Sequence, residues 1–266
     1  MKFTVKDQLQ RSVILKERPQ RIVSLVPSQT ELIVDLGLEV ALLGVTKFCV
    51  HPTHLLKDKT IVGGTKQVHF DRIKALNPDV ILCNKEENTE AMVSELETIA
   101  PVHISDVGNL EDALALITMY GELFKVEDKA KVLVTKIKAK QHELDAYLNG
   151  VPSRSAAYFI WKKPWMVAAS QTFIDAMLRC NHFENVFSHS TRYPEITLAD
   201  LKKRHPEIIL LSSEPYPFQP KHVQSLQAQF PNSKVLIVDG EAFSWYGSRL
   251  LKAFDYFKML HQDHLS

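Results

Sequence analysis

The sequence predicts an α/β protein of two similar αβ lobes, each built on a parallel sheet, bridged by one long α-helix. Three observations predict it. The segment from Phe70 to Leu82 is echoed by Leu198 to Leu210, at an offset of 128 residues. Both copies read as a short helix, a proline, an acid and an apolar run. Two further echoes keep the same order: Ser28-Gln29-Thr30 with Ser170-Gln171-Thr172, and Pro101 to Asp106 with Lys234 to Asp239. Strand-like and helix-like segments alternate along both copies, as in a sheet covered by helices. Finally, residues 127–148 contain neither glycine nor proline.

Taken in order, Phe3, Val5, Val13 and Leu15 alternate with polar residues and read as a small edge hairpin. Residues 21–26 form an apolar strand that Pro27 stops. Ser28 or Thr30 then caps a helix running to Gly37, with Glu31 favourable near its N-terminus. Val40–Val45 is the next strand, followed by a polar loop to Gly63-Gly64. The helix Phe70–Leu76 ends ahead of Asn77-Pro78, because proline disfavours helix in the preceding residue. Strands follow at Val80–Cys83 and Val102–Ser105, with helices at Glu90–Ile99 and Leu110–Phe124. In the stretch from Glu127 to Leu148, Ala130, Val134, Ile137, Leu144 and Leu148 recur at helical spacing. At 1.5 Å per residue this helix is about 33 Å long. The second copy opens with the strand Ala156–Trp161 and closes with the helix Ser248–His261. The predicted organisation is therefore residues 1–126 as the first lobe, 127–150 as the interlobe helix and 151–266 as the second lobe. Lobes joined by one helix are expected to move less than lobes joined by flexible strands.

The totals exclude several classes. Of 266 residues, 45% are hydrophobic and 24% charged, and the net charge is +1. That suits a globular protein with a core in each half, and nothing global points to nucleic acid. Cys49, Cys83 and Cys180 show no metal-ligand spacing, and Cys83 reads as a small buried thiol at a strand end. No apolar run is long enough to span a bilayer. Residues 1–8 lack the hydrophobic region of a leader, so the expectation is either a cytoplasmic chain or one whose leader has been removed.

Ligands of parallel α/β sheets bind beyond the carboxyl ends of the strands. All three tryptophans fall just after predicted strands: Trp161, Trp165 and Trp245. Flanked by lysine, proline and serine, they read as a pocket wall. Lys47, Lys66, Lys162, Lys163 and Arg249 add a basic rim suited to carboxylate, phosphate or hydroxamate groups. Catalytic signals are weak. Gly63-Gly64 is a turn rather than a phosphate loop, and no serine has a nucleophile-elbow context. His51, His54 and His69 lie near one another in sequence without a carboxylate at recognisable spacing, so no metal ligands are assigned.

The segments Arg21 to Leu32 and Leu76-Asn77-Pro78-Asp79-Val80-Ile81 resemble class III periplasmic binding proteins, the vitamin B12 and iron–siderophore receptors of ABC importers. Asn185-Val186-Phe187, then Tyr193 to Thr197, and Gly247-Ser248-Arg249-Leu250 resemble later motifs of that family. The likeness runs from about residue 3 to 261. It implies two lobes on a helical backbone and a ligand held between aromatic side chains. By the pocket layout of the B12-binding members, it places Phe48, Trp165 and Tyr193 at matching aromatic positions. Thr65 or Lys66 stands where those members have a pocket tryptophan, and Glu241 and Trp245 align with their acid and arginine. With Trp161, Phe243, Trp245 and Arg249, these make the candidate ligand-binding set. The family docks to its permease through one exposed acid per lobe. Asp71 takes the first such position; the second falls on Ala199, with Asp200 one residue on.

The expected function is a substrate-binding protein, not an enzyme, for a bulky metal complex such as cobalamin or a ferric siderophore, feeding an ABC permease. The metal complex is cargo, so no cofactor is expected, and a monomer is expected. By resemblance the location is periplasmic or cell-envelope. The alternatives are a cytoplasmic cofactor-handling protein on the same fold, and a metal-dependent enzyme using the His51, His54 and His69 region.

Overall fold

The computed structural model describes residues 3–265, which divide into two compact units. The first comprises the chain up to Val107, Glu111–Lys138 and Trp245–Leu250. The second comprises Gly108–Leu110, Ala139–Ser244 and the chain from Leu251 on.

The first unit is built on five parallel strands. Their order across the sheet is Thr60–Ile61, Leu42–Val45, Ile22–Ser24, Val80–Asn84 and Val102–Ser105. The middle strands are buried on both faces, which is why they read as continuous apolar runs. Val23, Leu25, Ile81, Cys83 and Ile104 pack beneath the helix Glu90–Leu96. The hairpin Phe3–Lys6 with Ser12–Leu15 is present, in antiparallel register. Its turn carries the fully buried Asp7, whose carboxylate accepts from the backbone N–H groups of Leu9, Arg11 and Ile104 and pairs with Arg11 at 2.8 Å.

One expected cap is corrected. The helix spans Pro27–Asp35, with Pro27 in its first turn and Val26 as a cap without a side-chain bond. Proline has no N–H to satisfy and its fixed φ suits the first helical position, so no serine or threonine is needed there. The Thr30 hydroxyl instead lies inside the helix, within hydrogen-bond distance of the Val26 carbonyl at 3.0 Å and of the Ser24 hydroxyl at 2.8 Å.

In the second unit, Arg154–Trp161, Ile208–Ser212, Lys234–Val238 and Phe183–Asn185 run parallel. Trp165–Val167 and Glu195–Ile196 join antiparallel. The sheet of this unit thus has the expected parallel core with an antiparallel extension. Lys162 to Pro164 reverse the chain directly after the first strand, so its return strand must run the opposite way.

The internal echo is a repeat of topology. The helix Phe70–Ala75 leads into Val80–Asn84, which pairs with the unit's opening strand Ile22–Ser24 and with Val102–Ser105. Likewise the helix Leu198–Arg204 leads into Ile208–Ser212, which pairs with Arg154–Trp161 and with Lys234–Val238. The remaining echo, at Thr172, is the N-cap of the helix Phe173–Cys180.

The 22-residue helix Glu127–Leu148 has the predicted bounds, and its residues pass from the first unit to the second at Lys138. Trp245–Leu250 belong to the first unit, although they follow the second unit's strands in sequence. Arg249 is the physical reason. Its guanidinium donates twice to the Glu31 carboxylate, at 2.7 and 2.9 Å. Beside it Gly247 takes φ +87°, and an added Cβ there would stand 3.3 Å from Leu32.

Candidate functional site

The first unit presents Lys47 and Phe48 just beyond Leu42–Val45. Thr46 fixes the turn: it is buried, and its Oγ1 accepts from the Phe48 N–H at 3.3 Å. Phe48 is 49% exposed, and the Lys47 ammonium lies over its ring at 5.1 Å. Behind the ring is Gly64, where an added Cβ would stand 3.2 Å from Phe48. Lys66 is exposed and donates to the Glu86 carbonyl. Asn88 holds this loop by donating to the Thr65 carbonyl at 2.8 Å.

Two residues expected on the rim are inside the first unit instead. Arg249 is 8% exposed, locked onto a Glu31 that is 4% exposed. Trp245 is 7% exposed, edge-on to His51 at 5.5 Å and beneath the Arg249 guanidinium at 5.0 Å. A charge so buried needs a partner within the protein, and Glu31 supplies it.

Close by is a polar network that the sequence reading missed. Tyr120 donates to Gln29 Oε1 at 2.6 Å, and Gln29 Nε2 donates to Ser105 at 2.5 Å and Tyr246 at 3.1 Å. Asn84 donates to Ser105 at 3.0 Å. Burial pushes the Tyr246 hydroxyl up to about 12 and the Tyr120 hydroxyl well above its ordinary value. Both stay neutral, so the network orders the strand ends. Gln29 is the middle residue of the first copy of the Ser-Gln-Thr echo, which was the one available signal.

The second unit gathers its aromatics into a shelf at the ends of Arg154–Trp161 and Ile208–Ser212. Trp161 is 39% exposed and meets Tyr216 edge to face at 5.5 Å. Tyr216 meets Phe218 at 4.8 Å, and Phe218 stacks on Trp165 at 6.2 Å. Trp165 is half-buried on Phe159, and the Lys162 ammonium lies over its ring at 5.4 Å. Tyr216 and Phe218 were not among the predicted site residues; their signal is the alternation Pro215-Tyr216-Pro217-Phe218 after a strand. His222 backs the shelf against both rings, and its Nδ1 accepts from the Gln219 N–H at 2.9 Å. Burial, then Lys162 and Lys221, hold its imidazole below the ordinary value.

Tyr193 is half-buried, next to Pro194, whose carbonyl accepts from the Val167 N–H at 3.2 Å. Phe243, expected in the wall, is fully buried between Tyr158 at 5.1 Å and Phe257 at 4.8 Å. It is core, because the short helix Gly240–Ser244 turns it inward.

Of the two acids expected to dock, Asp71 is exposed in the first turn of Phe70–Ala75. Asp200 is engaged. It closes a capping box, accepting from Thr197 N–H at 3.0 Å and Thr197 Oγ1 at 2.6 Å. Those bonds hold its carboxyl below the ordinary value.

The histidine region does not assemble. Among the described residues no group of three or more His, Cys, Asp or Glu converges as metal ligands, and His54 pairs with Glu39 at 2.7 Å. No helix among the described residues is long and apolar enough to cross a membrane.

Comparison with known proteins places these features in a family. A sequence model described as periplasmic binding protein matches residues 22–230. An ABC transporter substrate-binding lipoprotein of Bacillus subtilis, itself uncharacterized, is 25% identical over 215 residues, covering 78% of this chain and 68% of its own. The vitamin B12-binding protein of Vibrio campbellii is 26% identical over 195 residues, covering 73% of this chain and 70% of its own. Among solved structures, the periplasmic haem-binding protein of Roseiflexus superposes with a TM-score of 0.81 at 15% identity, over 93% of this chain and 99% of that one.

Proposed function

This chain belongs to the periplasmic binding protein family, and from that premise we propose that it binds a bulky metal chelate, cobalamin-like or ferric siderophore-like, and hands it to an ABC permease. It is a binding protein and not an enzyme. The observation that carries the ligand reading is the aromatic shelf of Trp161, Tyr216, Phe218 and Trp165 at the strand ends of the second unit. Rigid aromatic surface gives large contact area at small entropy cost, which suits a ligand with a broad flat face. Relatives named as vitamin B12-binding proteins support the same class. Tyr193 is a further candidate contact of the second unit in this reading, the first unit has its own candidates in Lys66 and in Phe48 under Lys47, and the location is the cell envelope. Native mass spectrometry of the purified chain, followed by calorimetric titration with cyanocobalamin, haemin and ferric siderophores, tests it. A folded protein that binds none of them rejects the reading.

One observation favours a second reading, a cofactor-handling protein that does not dock. Ala199 stands at the second docking position, and Asp200 is held in its capping box. Pull-down of the permease encoded nearest the gene separates the two: retention on Asp71-bearing protein but not on an Asp71→Ala variant supports docking.

A further inference from the structure

Three polar groups around the second unit's shelf are donors. The Lys162 ammonium and the indole N–H groups of Trp161 and Trp165 donate hydrogen bonds and accept none. Among the described residues these three groups make no hydrogen bond or ion pair; their contacts are with rings. Lys162 and Lys221 bring positive charge beside the shelf: after burial, they are what lowers the His222 imidazole. These three donors on an aromatic platform match a ligand with π faces and negatively charged acceptor oxygens. A neutral carboxamide rim can accept through its carbonyl oxygens but gains no charge assistance from Lys162. The first unit, taken alone, repeats the combination with Lys47 over the half-exposed Phe48.

Resting on the binding-protein reading above, we propose that the shelf selects an anionic iron chelate built from aromatic rings, catecholate or porphyrin carboxylate in kind, over a neutral corrinoid or trihydroxamate. Ring faces lie on Trp161 and Tyr216, and the anionic oxygens meet Lys162 and the indole N–H groups.

The test is calorimetric titration of the full chain with a ferric tris-catecholamide, haemin, cyanocobalamin and a ferric trihydroxamate, in low and high salt. One of the anionic probes is expected to bind at least about tenfold tighter than either neutral probe, with affinity falling as salt screens the charge. Which anionic probe wins tells the catecholate from the porphyrin. Lys162→Gln is expected to weaken that binding by roughly threefold to tenfold while Tm stays unchanged. A neutral probe that binds as tightly, or a Lys162→Gln variant with unchanged affinity, overturns the charge selection and leaves the binding-protein reading standing. No binding of any probe to folded protein rejects both.

Discussion

Arg249→Met is expected to destabilise the first unit by about 3–5 kcal/mol, the usual cost of stranding one member of a buried ion pair. The structure argues for this range. The two side chains are 10% and 5% exposed, and both guanidinium–carboxylate bonds are short, at 2.7 and 2.9 Å. Removing the arginine leaves the Glu31 carboxylate in a site that water does not reach. It also takes the cation off the Trp245 ring, where it stands at 5.0 Å, worth about 0.5–2 kcal/mol by itself. The two losses share one group and do not add.

The assay is urea unfolding in a Trp161→Phe/Trp165→Phe background. Trp245 is then the single tryptophan and reports the first unit alone. A protein of two units need not unfold in one step, so a reporter confined to one unit is needed. Glu31→Met/Arg249→Met should recover to within about 1–2 kcal/mol of the parent, because replacing both members by apolar groups removes the desolvation cost with the attraction. An Arg249→Met variant within about 1 kcal/mol of the parent at neutral pH would refute the reasoning, since a buried pair cannot be halved so cheaply.

Three other outcomes are expected. Trp161→Ala should cost less than about 1 kcal/mol of stability, because the ring is 39% exposed, yet lose about 1–2 kcal/mol of ligand affinity as a contact residue; thermal shift and calorimetry on one sample check both. His103 is fully buried, its ring nitrogens have no partner among the described residues, and burial pushes its imidazole from 6.5 down to about 4. The unfolded chain therefore binds the extra proton first, so stability is lost as pH falls from 6.5 towards 4, by roughly 3 kcal/mol; His103→Phe should flatten that slope in urea titrations. Thr197→Ala should cost about 1 kcal/mol through loss of the N-cap. Because the partner carboxyl of Asp200 is held below 3.8, the capping box is complete above that pH and is lost as pH falls through the lowered value; parent and variant should converge in acid denaturation.

Local features were legible in the sequence. The bounds of Glu127–Leu148 follow from helical spacing without a breaker, and the start of Phe70–Ala75 from its apolar pattern. The echo revealed a repeated strand order because each copy buries its strands in the same way. What escaped depends on partners far apart in the chain. Glu31 and Arg249 are 218 residues apart, so neither position announces the other, and a lone arginine after a strand reads as a rim charge. Trp245 was misread for the same reason, since its environment is supplied by Arg249 and His51. Phe243 and Trp161 are both aromatics near strand ends. Only the turn of the short helix Gly240–Ser244 decides that one is core and the other exposed.

The two copies also show why a shared topology does not carry a shared surface. The first copy starts its helix with Pro27, which needs no cap, whereas the matching helix of the second begins with the Thr172 hydroxyl accepting from the Asp175 N–H. The helices that bear the acids expected to dock differ in the same way. His69 offers no side-chain cap to Phe70–Ala75, and Asp71 remains an exposed charge. Thr197 does cap Leu198–Arg204, and the box it forms takes Asp200. A carboxylate holding two donors at 3.0 and 2.6 Å has to release them before it can grip a permease arginine. Docking through this helix would then compete with its own N-terminus. An acid at the vacant neighbour, Ala199, would face no such conflict, since that position is exposed and lies in the first helical turn, where negative charge is favoured.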